Sequence, residues 1–126
     1  MRWRTIAGRD TRPRDIIMSN QAERIRALND ALRAHGAGGE IVATRGLLAL
    51  GADRAAAVFA AVQSFDAFTP ENDPYGEHDF GLLTVRDVRV MFKIDYYNLT
   101  LSGHSPDPAD ARCTRRVMTI MLADEY

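Results

Sequence analysis

The chemistry this chain could do is concentrated in two short stretches. ENDPYGEHDFG, Glu71 to Gly81, holds Asp73, Glu77, His78 and Asp79, and KIDYYN contributes Lys93, Asp95 and Tyr97. Asp73, His78, Asp79 and Asp95 are the candidates for general acid–base catalysis, because carboxylates beside an imidazole can pass protons to and from a substrate. The same side chains are mostly oxygen donors with one nitrogen. That set suits manganese or magnesium and is a poor match for zinc, whose sites favour nitrogen and sulfur. No cofactor is predicted beyond such a divalent ion, and no residues stand out as a firm ligand set.

Architecture is a competing use for the same residues. Asn-Asp-Pro opens turns, because Asn and Asp side chains bond to nearby amides and Pro74 fixes its own φ. On this reading Asn72 and Asp73 accept backbone amides, while Asp79 pairs across strands with Lys93. A third use is recognition, through a contact surface of Glu71, Asp73, Tyr75, Glu77, His78, Asp79, Lys93, Asp95 and Tyr97.

The elements that must hold these residues follow from periodicity. SNQAERIRALNDALRAHG reads as a helix capped by Ser19 or Asn20, with Ala22, Ile25, Leu28 and Leu32 as its inner stripe. Arg24, Arg26, Asp30 and Arg33 are expected to face outward, and Gly36 to end the helix. A short strand is predicted near Ile41 to Thr44, then a second helix burying Val58, Phe59, Val62 and Phe65.

HDFGLLTV and VRVMFKIDYY read as a hairpin turning at Arg86 and Asp87. A register pairing Phe80 with Phe92 and Leu82 with Val90 is favoured, since it keeps one face apolar. A two-residue turn would shift the pairing by one position and bring His78 opposite Asp95. Asp107-Pro108 suits the start of one helical turn. RRVMTIMLADEY supplies a last strand, with Met118, Ile120 and Leu122 on one face. The expected fold is α+β, with two helices on one face of a small, mainly antiparallel sheet in the order α-β-α-β-β-β.

Length and charge narrow the functional classes. The 126 residues suit one core, and 46% apolar residues against 26% charged excludes wholesale disorder. No apolar run is long enough to cross a bilayer, so no membrane role is expected. One cysteine, Cys113, excludes an internal disulfide, which fits the cytoplasm. Residues 1–17 carry Arg2, Arg4, Arg9, Arg12 and Arg14 against Asp10 and Asp15, a net +3, leaving −4 on the rest of a chain of net charge −1. These residues read as a flexible basic arm, or as the product of a start upstream of Met18, ahead of one α+β domain over 18–126. Nucleic acid could be met only weakly, through the arginines of that arm.

The blocks ENDPYGEHDFG, KIDYYN, SPDPAD and RRVMTIMLADEY, in that order and spacing from Met18 to Tyr126, resemble the bacterial family of domain of unknown function 3768. The resemblance implies no activity. Met91 stands where that family suggests an aromatic residue, and Asn98 where it suggests Asp. The functional expectation is a small cytoplasmic interaction or accessory protein. Its partner would be a basic protein, such as a nucleic-acid-binding or defence protein, met through the acidic end of the hairpin in a mobile-element or anti-defence setting. The alternative is a metal- or carboxylate-dependent hydrolase using the same cluster.

Overall fold

The computed structural model describes the backbone of residues 5–6, 9–10 and 13–126, and side chains from Asn20 onward. Two short strands, β1 (Thr5–Ile6) and β2 (Arg9–Asp10), pair with each other. Of the segment expected to be a flexible arm, residues 1–4, 7–8 and 11–12 and all side chains lie outside the described residues, and 13–17 belong to the helix that follows. Helix α1 runs Pro13–His35, starting on a proline whose fixed φ suits the first helical position. Ser19 and Asn20 therefore stand inside the helix and do not cap it. Its other end is as expected: Gly36 has φ +67°, its amide bonds the Leu32 carbonyl at 2.9 Å, and the Ala37 amide bonds Ala31 at 3.2 Å.

After α1 come β3 (Glu40–Ala43), the short α2 (Arg45–Leu48) and α3 (Ala52–Gln63). The hydroxyl of Thr44 accepts the Leu47 amide at 3.3 Å and so caps α2, a turn the sequence did not announce. Then follow β4 (Phe80–Val85), β5 (Val88–Tyr97), a 3-10 turn at Ala111–Cys113, β6 (Arg115–Leu122) and a last 3-10 turn at Ala123–Glu125. The four-stranded sheet has the order β3-β6-β5-β4, antiparallel except where β3 runs parallel to β6. The predicted α+β arrangement is the observed one.

One face of the sheet meets the helices. Val90, Phe92 and Ile94 of β5 and Met118 and Ile120 of β6 pack with Leu32, Leu47, Val58 and Val62 into the core. The hairpin register, however, is the alternative one. Arg86 and Asp87 both take positive φ, 48° and 68°, forming the two-residue turn whose twist matches paired strands. Phe80 therefore pairs with Lys93 and Leu82 with Met91. Leu83 and Val85 pack against the core, whereas Leu82 stays 42% exposed on the other face. Gly81 makes this possible, because any Cβ there would overlap the ring of Phe92 and crowd Phe65. Apolar alternation ranked the other register first, because it was set above the two-residue turn and took no account of that glycine.

Candidate functional site

The acidic stretch is divided by the fold into two settings. Its first part is clamped onto α1. The Asp73 carboxylate is buried and accepts the backbone amides of Glu77 at 3.1 Å and His78 at 3.2 Å. Asn72 accepts the Thr69 amide at 2.8 Å and donates to the Ala67 carbonyl at 2.9 Å. From α1, Arg26 donates to the Gly76 carbonyl at 3.1 Å and Asn29 to the Glu77 carbonyl at 2.9 Å.

His78 is held on three sides. Its ring stacks on Phe68 with centroids 3.8 Å apart and planes 5° from parallel. Its Nδ1 lies 2.8 Å from Asp30 Oδ1, and its Nε2 3.6 Å from Asp73 Oδ2. The residue pays for this placement with φ 57°, in the left-handed region. Burial pushes the Asp30 carboxyl up, but hydrogen bonds and charge from Arg33 and His78 outweigh it, leaving the group below its usual range. A shallow hollow of about 420 Å³ lies outside His78 and Asp73, bordered by Pro70, Pro74 and the exposed Tyr75. Glu71 is exposed beside it.

Beneath the loop lies a buried polar chain that sequence reasoning missed. Arg116, 2% exposed, donates from Nε to Asn29 Oδ1 at 2.7 Å and from Nη2 to the Pro108 carbonyl. Asn29, fully buried, donates to the Tyr96 hydroxyl at 2.8 Å, which in turn donates to Glu77 Oε1 at 2.7 Å. The Arg116 guanidinium also sits 4.9 Å from the Tyr96 ring centroid. Burial, then the bond to Glu77, drives the Tyr96 phenol far above its ordinary range, and burial lowers Arg116. Glu77 is thereby committed to structure. The signal was legible in phase: Asn29 shares the spacing of Ile25 and Leu32, and Arg116 alternates with Met118 and Ile120. Arg33, expected outside, is 7% exposed and stacks 5.2 Å from the Phe68 centroid.

The second setting is open. On the β4 side of β5, pairing continues as far as the Ile94 amide, which donates to the Asp79 carbonyl at 2.8 Å. It resumes where the Ser105 amide donates to the Tyr96 carbonyl at 2.9 Å, beside a bridge between Tyr97 and His104. The interruption leaves a hollow of about 370 Å³ lined by Asp79, Ile94, Asp95, Tyr96, Tyr97 and His104. His104, exposed, meets the Ser105 carbonyl through Nδ1 at 2.9 Å and sets its ring edge-on to Tyr96.

Asp79 does not meet Lys93, which bonds Asp95 on its own strand, because the shifted register puts Phe80 opposite that lysine. Burial first, then the charges of Glu77, Asp73 and Asp95, raise the Asp79 carboxyl above its ordinary value, opposed only by its own backbone amide. The bond to Asp95 raises Lys93.

The four catalytic candidates thus do not form one centre, since Asp73 and His78 border one hollow and Asp79 and Asp95 the other. Among the described residues no three His, Cys, Asp or Glu side chains come together as metal ligands would. No described helix is long and apolar enough to cross a membrane. The two departures from the family pattern have plain structural places. Met91 is buried and pairs with Met121, and Asn98 Oδ1 accepts the Ser102 amide at 2.9 Å, which an Asp would also do.

Comparison with known proteins returns one family. The model of a protein of unknown function, DUF3768, matches residues 43–125, and the chain belongs to that family. No curated protein and no solved structure matches it.

Proposed function

We propose that this member of the DUF3768 family is a small cytoplasmic interaction protein that takes a cationic side chain of a basic protein partner into the hollow between Asp79 and His104. The observation that carries the reading is the state of Asp79. Its carboxylate is half-buried, crowded by like charges and bonded by no other side chain among the described residues. Such a group gains when a cation arrives, because a desolvated carboxylate binds a guanidinium or ammonium more strongly than an exposed one does. Tyr97 and Tyr96 border the same hollow and supply aromatic surface for the stem and charge of an arginine. The neighbouring clamp of Asp73, His78 and Asp30 holds the strand entrance in place and leaves no carboxylate of its own unpartnered.

The test is calorimetric titration with an arginine-rich peptide and with the same peptide carrying citrulline in place of arginine. The wild type binds the first in a salt-sensitive manner and not the second. Asp79→Asn weakens binding about tenfold, equivalent to about 1.4 kcal/mol. Glu71→Gln, which removes the same charge from an exposed site of the loop, leaves affinity within about twofold of the wild type. Equal losses for Asp79→Asn and Glu71→Gln would reduce the effect to overall charge and overturn the site.

A further inference from the structure

β4 is an outer strand of the sheet, and its free side is unguarded. The turn at Arg86 and Asp87 makes Val85 and Val88 the closing pair, so the odd-numbered residues of β4 bond to β5, as the Asp79 carbonyl does to Ile94. The amides and carbonyls of Phe80, Leu82 and Thr84 therefore point away from β5. Among the described residues no backbone group meets them. Proteins protect such edges with charges, prolines, bulges or short length. β3, at the opposite edge, has four residues and its Glu40 is bonded by Arg115. β4 has none of these devices: FGLLTV carries no charge and no proline, its register is unbroken, and Leu82 is 42% exposed.

We propose that β4 pairs antiparallel with β4 of a second copy of this chain, about a two-fold axis at Leu82. That register sets Phe80 opposite Thr84 of the second copy and Leu82 opposite its counterpart, so all three outward residues are satisfied at once. A two-fold interface needs only a self-complementary patch, and this strand is one. Its centre brings no like charges together. At each end of the paired strands the turn carrying Arg86 of one copy comes to the same end as the segment that carries Glu77 and Asp79 of the other, so opposite charges approach there, while Asp87 leads on into β5. An unrelated extended peptide would find the same free edge, but a second copy brings to it an uncharged strand flanked by a cation.

The experiment is sedimentation equilibrium of the full chain from micromolar to submillimolar concentration. The wild type associates to a mass of two chains. Thr84→Pro, which removes an outward amide with no bond inside the chain at a site where an edge strand tolerates proline, stays a monomer with the wild-type circular dichroism spectrum. Arg86→Glu weakens the dimer about tenfold. Should Thr84→Pro fail to fold, Leu82→Lys replaces it, placing two positive charges against each other at the axis. A wild type that is monomeric at every concentration, because its own N-terminal residues or another protein's strand covers β4, would overturn the proposal. So would a folded Thr84→Pro or Leu82→Lys variant that remains a dimer.

Discussion

His78 Nδ1 and Asp30 Oδ1 lie 2.8 Å apart across 48 residues of sequence, fastening the acidic loop to the first helix. With Arg26 and Asn29 on the same helix and Asp73 within the loop, this contact turns most of the ENDPYGEH stretch into a joint between α1 and the sheet. Asp30 reads out that joint in acid. Its folded pKa is depressed below 3.8, so its contribution is present above that value and is lost as pH falls through the folded pKa. Asp30→Asn should therefore lose less stability than the wild type on acidification below 3.8, measured by urea unfolding across that range. Parallel acid limbs for the two proteins would mean that the contact contributes nothing.

Asp73→Ala should lower stability by about 1–2 kcal/mol, the range for a lost cap or buried hydrogen bond, because two backbone amides lose their acceptor. Asp73→Asn, which keeps an acceptor oxygen, should cost less. Urea denaturation ranks the two, and equal costs would point to charge instead of hydrogen bonding.

Asn29→Ala removes the centre of the buried polar chain and leaves the Arg116 Nε without its acceptor. A buried donor left unpaired costs about 1–3 kcal/mol, more when it is charged, so the variant should be among the least stable single changes in α1. Chemical unfolding of Asn29→Ala beside Ala27→Ser, an exposed site on the same helix, makes the comparison.

Phe92→Ala should cost about 3–5 kcal/mol, as for a fully buried aromatic ring. Gly81→Ala should cost about 1–3 kcal/mol through overpacking, because its new methyl meets that ring. In the double variant Phe92→Leu with Gly81→Ala the second cost should shrink, which a thermodynamic cycle over the four proteins measures directly.

Periodicity made much of this fold legible. The stripe of Val58 and Val62, the inward face of Met118 and Ile120, and the cap at Gly36 follow from local rules and appear as those rules require. The hairpin register did not, because two apolar faces compete in β4 and the decision rests on the positive φ of Arg86 and Asp87, residues that enter that region only at a cost. The buried chain from Arg116 to Glu77 escaped for another reason. Asn29 and Arg116 occupy core phase, but polar residues are assigned to the surface unless a partner is known, and their partners lie 67 and 87 residues away. The dual character of the acidic stretch was visible as competing uses; which carboxylate serves which use depended on the register.

The role of the Asp79 carboxylate is decided by the thermal melting of Asp79→Asn against wild type. Its folded pKa is raised above the unfolded value of 3.8, so the ionised form is the disfavoured one in the native state, and stability is lost as pH rises through the folded pKa. The measurement is the difference in Tm at pH 7, with no ligand present. Asp79→Asn should melt higher than the wild type, and the gap should close as pH falls toward 3.8. A lower Tm for Asp79→Asn at pH 7 would show that the carboxylate is a structural partner after all, and would contradict the assignment of this end of the hairpin to recognition.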